Sequence, residues 1–178
     1  MSSITAALNS AFLAPFNGAV VHHGPLERKP LIIDLAQPNP PRLRLYMYSL
    51  VGGKGERSRR EYKVVLRAPG QPTGVYRGFD HSDGRFTLVV GYAPDLDVFV
   101  LWDASLHPRF KSGGNLQVRD DVVRRASAVG VAEQVRLLTS GAREVVLACQ
   151  SPTLQRAIDA RIASTGGLRE DEWATFLS

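Results

Sequence analysis

A chain of 178 residues, 44% hydrophobic and 22% charged, is long enough to bury a core without disulfides or metal staples. The single cysteine, Cys149, excludes an intrachain disulfide and any cysteine-rich zinc site, and a formal net charge of +5 favours acidic partners. No run approaches the roughly 18 apolar residues of a membrane span, and the N-terminus lacks the basic start and apolar stretch of a secretory signal, so no membrane partner and a cytoplasmic location are expected.

Along the chain, apolar groups at Ile4, Leu8, Phe12 and Leu13 have helical spacing, and Pro15, Asn17 and Gly18 end that helix. Residues 20–21 and 31–35 read as short strands, and Pro38, Pro40 and Pro41 form a stiff breaker. Residues 42–51 alternate Arg42, Arg44, Tyr46 and Tyr48 with Leu and Met, which predicts a half-buried strand with those four on one face. Gly52, Gly53 and Gly55 mark a flexible loop, and residues 60–67 the next strand. Residues 75–79 form a weak strand, and residues 85–92 and 97–102 form a hairpin about Ala93-Pro94-Asp95-Leu96.

The strand ending at Trp102 and Asp103 opens into a polar loop with His107, Arg109, Lys111, Ser112, Asn115 and Gln117, the composition of a recognition loop on a rigid scaffold. Residues 118–129 have helical spacing and Gly130 stops them; residues 144–149 form a buried strand in which Cys149 is a small hydrophobe. Ser151 and Pro152 start a last helix that runs to about Ala163. This order predicts an α+β fold: a curved, mostly antiparallel sheet or partial barrel flanked by about three helices. Residues 1–167 are expected as one domain and 168–178 as an acidic C-terminal tail, with a short helix or a linker as its form.

Charge is unevenly placed. Residues 42–67 hold Arg42, Arg44, Lys54, Arg57, Arg59, Arg60, Lys63 and Arg67 against Glu56 and Glu61. An acidic stretch follows, and positive charge returns at Arg109, Lys111, Arg119, Arg124 and Arg125. If folding joins the two clusters they make one basic face. Guanidinium forks suit phosphate, tyrosines stack on unpaired bases, and the amides of Asn115 and Gln117 match an adenine edge. The plain alternatives are a solvated strand face and a polar crossover.

Trp102 beside Asp103, with Tyr46 and Tyr48, has the chemistry of a base pocket, although a core tryptophan and a turn-capping carboxylate have the same composition. Glu61-Tyr62-Lys63 places Glu61 and Lys63 on one side of a strand. With Asp34 they would match the Asp…Glu-x-Lys pattern of a Mg²⁺-dependent nuclease. The four histidines are not spaced as metal ligands, there is no nucleophile elbow, and Gly52-Gly-Lys-Gly55 is not followed by a helix.

Four features, Tyr46-Met-Tyr48, Arg59-Arg-Glu-Tyr-Lys63, Leu88-Val-Val-Gly91-Tyr92, and residues 98–103 with Ser112 to Gln117, give the block from Arg42 to Val118 its character. It resembles the DNA-specificity modules that accompany bacterial restriction endonucleases and modification-dependent nucleases. The resemblance implies a non-catalytic reader of short or modified DNA sites, without a cofactor, that leaves cutting to a separate nuclease domain or subunit. Backbone contacts are then expected from Arg57, Arg59, Arg60, Lys63, Arg109, Lys111 and Ser112, and base contacts from Asn115, Gln117 and His107. A metal-dependent nuclease and a protein-interaction module with a basic face are the alternatives.

Overall fold

Ser3 begins the first helix, α1 (Ile4–Leu13), by accepting the Ala6 N–H at 3.1 Å, and a 3-10 turn over Ala14–Phe16 with left-handed Asn17 ends it. The computed structural model describes residues 3–36, 42–52, 60–167 and 169–178. Next come β1 (Val20–His23), β2 (Leu31–Leu35), β3 (Arg42–Ser49), β4 (Val51–Gly52), β5 (Glu61–Val65), β6 (Tyr76–Arg77), β7 (Phe86–Ala93) and β8 (Val98–Trp102). The second half holds β9 (Phe110–Lys111), β10 (Asn115–Arg119), α2 (Asp120–Val129), β11 (Val131–Leu137), β12 (Arg143–Cys149), α3 (Leu154–Thr165) and α4 (Glu170–Trp173).

The main sheet has the order β1-β2-β3-β7-β8-β12-β11. Every pair is antiparallel except β3 with β7, which run parallel from Leu43 opposite Phe86 to Ser49 opposite Tyr92. Parallel neighbours need a crossover, usually a helix. Here the crossover between them contains β4, β5 and β6, which build a second layer on one face of the sheet.

Both faces of the central strands are therefore covered. Leu43, Leu45, Met47, Leu88, Val90, Phe99 and Leu101 pack under Leu8 and Phe12 of α1 and Leu154 and Ile158 of α3. On the other face Tyr46, Tyr48, Val89, Val98, Val100 and Trp102 pack under Val122, Val123 and Ala126 of α2 and under a three-stranded sheet ordered β10-β5-β4. Burial on both faces is why residues 98–102 read as an unbroken apolar run.

The fold is α+β, with an open, mostly antiparallel sheet and three helices of ten residues or more. Three local expectations need correction. Leu43 through Tyr48 are all buried, so β3 is not half-buried: the face carrying Arg44, Tyr46 and Tyr48 lies under the second layer. The polar loop contains β9 and β10, and β11 is an edge strand where the pattern after Gly130 predicts none. The acidic C-terminal segment contains α4, and its Ala174 and Leu177 pack against the core on the α1–α3 side. Among the described residues no helix is long and apolar enough to cross a membrane.

Candidate nucleic-acid interface

The outer layer joins the two basic stretches. β5 and β10 run antiparallel with Val65 opposite Asn115, Lys63 opposite Gln117 and Glu61 opposite Arg119. Alternation sorts their side chains: Val64, Leu116 and Val118 point into the core, while Asn115, Gln117 and Arg119 are exposed and Lys63 is half-buried. A tight turn at Ser112–Gly114 feeds β10 from β9. Gly113 takes a φ of 90° there, and the Gly113 N–H and Gly114 C=O bond the C=O and N–H of Leu66 at 2.9 and 2.7 Å.

β9 pairs with β6 in a short ribbon, with Tyr76 opposite Lys111. Its inner side is aromatic: the ring centroid of Phe110 lies 4.7 Å from that of Phe79, which lies 5.0 Å from Tyr46. Gly78 runs so close to the base of β9 that a Cβ there would sit 2.6 Å from the Pro108 carbonyl oxygen. Phe110, Leu116, Val118 and Val64 all enter the same core cluster. The outer faces of the ribbon and of β5–β10 therefore look away from one core and form a continuous surface.

Charge along that surface is graded. At the α2 end, Arg119 pairs with Asp121 at 3.0 Å and Arg124 with Asp120 at 2.7 Å. Arg60, Lys63, Arg77, Arg109 and Lys111 make no ion pair with an acidic side chain among the described residues. Arg109 and Lys111 instead flank the Tyr76 ring, with the guanidinium carbon 4.5 Å and the ammonium nitrogen 5.1 Å from its centroid. Tyr76, one of the tyrosines that accompany the basic stretch and are expected to stack on bases, stands on this outer face, whereas Arg77, opposite Phe110, alternates to the other side of the ribbon. Arg57 and Arg59 lie outside the described residues.

The remaining expected residues sit elsewhere. Nε2 of His107 faces the buried Glu144 rather than the surface. Trp102 is 0% exposed and donates from Nε1 to the Gln117 carbonyl at 3.2 Å. Asp103 accepts the Ser105 N–H and hydroxyl at 3.0 and 2.6 Å through Oδ1, and its Oδ2 takes a bond from Arg161 at 3.3 Å. Both border a cleft of about 180 Å³ that also includes His81, Arg85, Thr87 and Arg161. Tyr46 and Tyr48 are outside its lining: the Tyr46 hydroxyl accepts the Asp80 N–H at 3.0 Å, and Tyr48 lies under the Lys29 ammonium, 3.9 Å from the ring centroid.

Asp34, Glu61 and Lys63 are not gathered. Asp34 pairs with Arg85 at 2.9 Å and lies opposite Arg42, at the start of β3. Val64, next to Lys63, instead lies over Gly91, the partner of Tyr48. At the rise of a strand that is about 20 Å further along β3. Among the described residues no three His, Cys, Asp or Glu side chains are placed to hold a metal ion.

A family model described as Methylase-associated X1 matches residues 41–158, which run from β3 into α3 and include the whole outer layer. No curated protein and no solved structure matches the chain.

Proposed function

The chain belongs to the methylase-associated X1 family, and we propose on that premise that it is a DNA-recognition module of a methylase-linked restriction system, reading a specific or modified site and working beside a nuclease domain or subunit. The observation that supports this reading most is the group of cations without acidic partners among the described residues, Lys63, Arg109 and Lys111, on the same outer faces as the exposed amides of Asn115 and Gln117. Cations neutralised within the protein add little to DNA affinity, whereas free ones displace counterions from phosphate.

In this reading Arg60, Lys63, Arg109 and Lys111 hold the backbone, with Ser112 in the turn beside them. Asn115 and Gln117, on a strand rather than a loose loop, meet base edges with their amides. The bond from His107 to Glu144 makes that histidine a support for the surface and leaves base reading to the two amides.

Titration of labelled duplexes, unmodified and methylated, by fluorescence anisotropy between about 50 and 200 mM salt tests the proposal. Four phosphate contacts give a slope of log affinity on log salt of roughly −3 to −4, and Lys63→Ala or Lys111→Ala each flatten it by about 1. A salt-independent affinity, or no binding to any duplex, overturns the DNA reading. Equal affinity for every sequence and modification state overturns the claim of a specific site.

A further inference from the structure

The described tyrosines divide by exposure. Tyr46 and Tyr48 are buried, Tyr62 and Tyr92 are half-buried, and Tyr76 is 48% exposed. Tyr76 stands on the outer face of the β6–β9 ribbon, directly opposite Lys111 and diagonal to Arg109. Arg109 and Lys111, which have no acidic partner among the described residues, lie over its ring.

The ribbon beneath it is held firmly. Gln71 donates from Nε2 to the carbonyls of Val75, just before β6, and of Phe110 on β9, at 2.8 and 3.1 Å. Its Oε1 accepts the Ala68 N–H at 2.9 Å, which closes the loop onto itself. The inner face is fixed by Phe110 against Phe79. A ring placed outward on so short a strand pair, clamped from below, is pre-organised for a flat partner.

We propose that Tyr76 is a stacking platform for one unpaired base of DNA, with Arg109 and Lys111 taking the phosphates on either side of that base. The proposal rests on the DNA-binding reading above and adds that this end of the surface takes single-stranded or locally opened DNA. The chemistry is sequence-tolerant, because every base has a π-face, and the cations that lie over the ring in the free protein give way to the base and move onto its phosphates. Bases within an intact duplex are already stacked on both faces and offer the ring no such surface.

The test compares a single-stranded oligonucleotide containing 2-aminopurine with a duplex of the same sequence, using the parent protein, Tyr76→Ala and Tyr76→Phe. Stacking on Tyr76 predicts quenching of the 2-aminopurine by the parent and by Tyr76→Phe. It also predicts about a tenfold loss of single-strand affinity in Tyr76→Ala, with duplex affinity changed less than about twofold. Equal weakening of both forms, or no change in either, overturns the platform while leaving DNA binding in place. A parent protein that binds neither form overturns the DNA reading and the platform together. Tyr76 contributes nothing to the core cluster, so Tyr76→Ala retains the parent's thermal midpoint, and a lower midpoint would assign the residue a structural role instead.

Discussion

Nε2 of His107 lies 2.6 Å from Oε2 of Glu144, a residue that is 0% exposed. An ionised carboxylate only accepts, so the imidazole donates from Nε2. The same oxygen accepts the Asp103 N–H at 3.2 Å. Oε1 makes no hydrogen bond among the described residues and is compensated through charge by Arg136, whose Nε is 3.2 Å away. Arg136 in turn donates from Nη1 to the Gln117 carbonyl at 2.8 Å, the carbonyl that Trp102 also reaches. A buried carboxylate on β12 thus ties the polar segment after β8 to β10 from behind the interface.

Removing that carboxylate leaves Arg136 without its counterion and His107 Nε2 without its hydrogen-bond partner. Breaking a buried pair from one side costs about 3–5 kcal/mol, and the partial exposure of Arg136 places Glu144→Ala at the lower end, about 3 kcal/mol. Urea unfolding followed by far-ultraviolet circular dichroism measures it. A loss below about 1 kcal/mol would mean that water already serves the cluster.

Lys29 carries a pH dependence that can be isolated by difference. Burial disfavours its ammonium and lowers its pKa from 10.5 to about 8. Between those two values the unfolded chain holds a proton that the folded protein has released, so stability rises with pH across that window. Lys29→Met removes the titration. The variant is expected to be more stable than the parent at neutral pH, with the gap closing from about pH 8 upward as the parent gains stability. Thermal midpoints of both proteins over that range check it, and a constant gap would show that the Tyr48 ring, 3.9 Å below the ammonium, offsets the burial.

What the sequence disclosed and what it concealed have physical causes. The bounds of α1 follow from Ser3 and Pro15, which are local capping signals. The face of β3 that carries Arg44, Tyr46 and Tyr48 follows from strict alternation, yet its burial does not. The residues that cover it, Val64, Leu116 and Val118, are distant in sequence and belong to short strands with few apolar positions. β11 escaped because Glu133, Gln134 and Arg136 interrupt its apolar residues, as suits a sheet edge. The chemistry of the proposed interface was legible in Lys63, Arg109, Lys111, Asn115 and Gln117. Their juxtaposition was not, because it depends on the pairing of β5 with β10 across about fifty residues of chain. Arg44 shows the opposite error: its charge counted toward a basic face, but its guanidinium is buried against Asp80 and Asp83 at 3.2 and 3.0 Å.

The seam between the two layers rests on a glycine. A Cβ on Gly91 of β7 would stand 2.6 Å from Cγ1 of Val64, 3.2 Å from Cδ1 of Leu50 and 3.3 Å from Cζ3 of Trp102. Val64 is β-branched and fully buried, so it cannot turn aside as a long flexible side chain would. Gly91→Ala is therefore expected to cost about 1–3 kcal/mol by overpacking, the outer layer being pushed away from the main sheet. Val64→Ala alone also destabilises, by opening a cavity, but in the double variant the two changes fit one another. The combined loss should fall short of the sum by about 1 kcal/mol or more, and strict additivity in urea unfolding would show that β5 does not bear on Gly91. Because β5 and β10 move together as one sheet, Lys63 stays opposite Gln117 in Gly91→Ala. DNA affinity measured well below the unfolding midpoint is then expected within about twofold of the parent, even as stability falls.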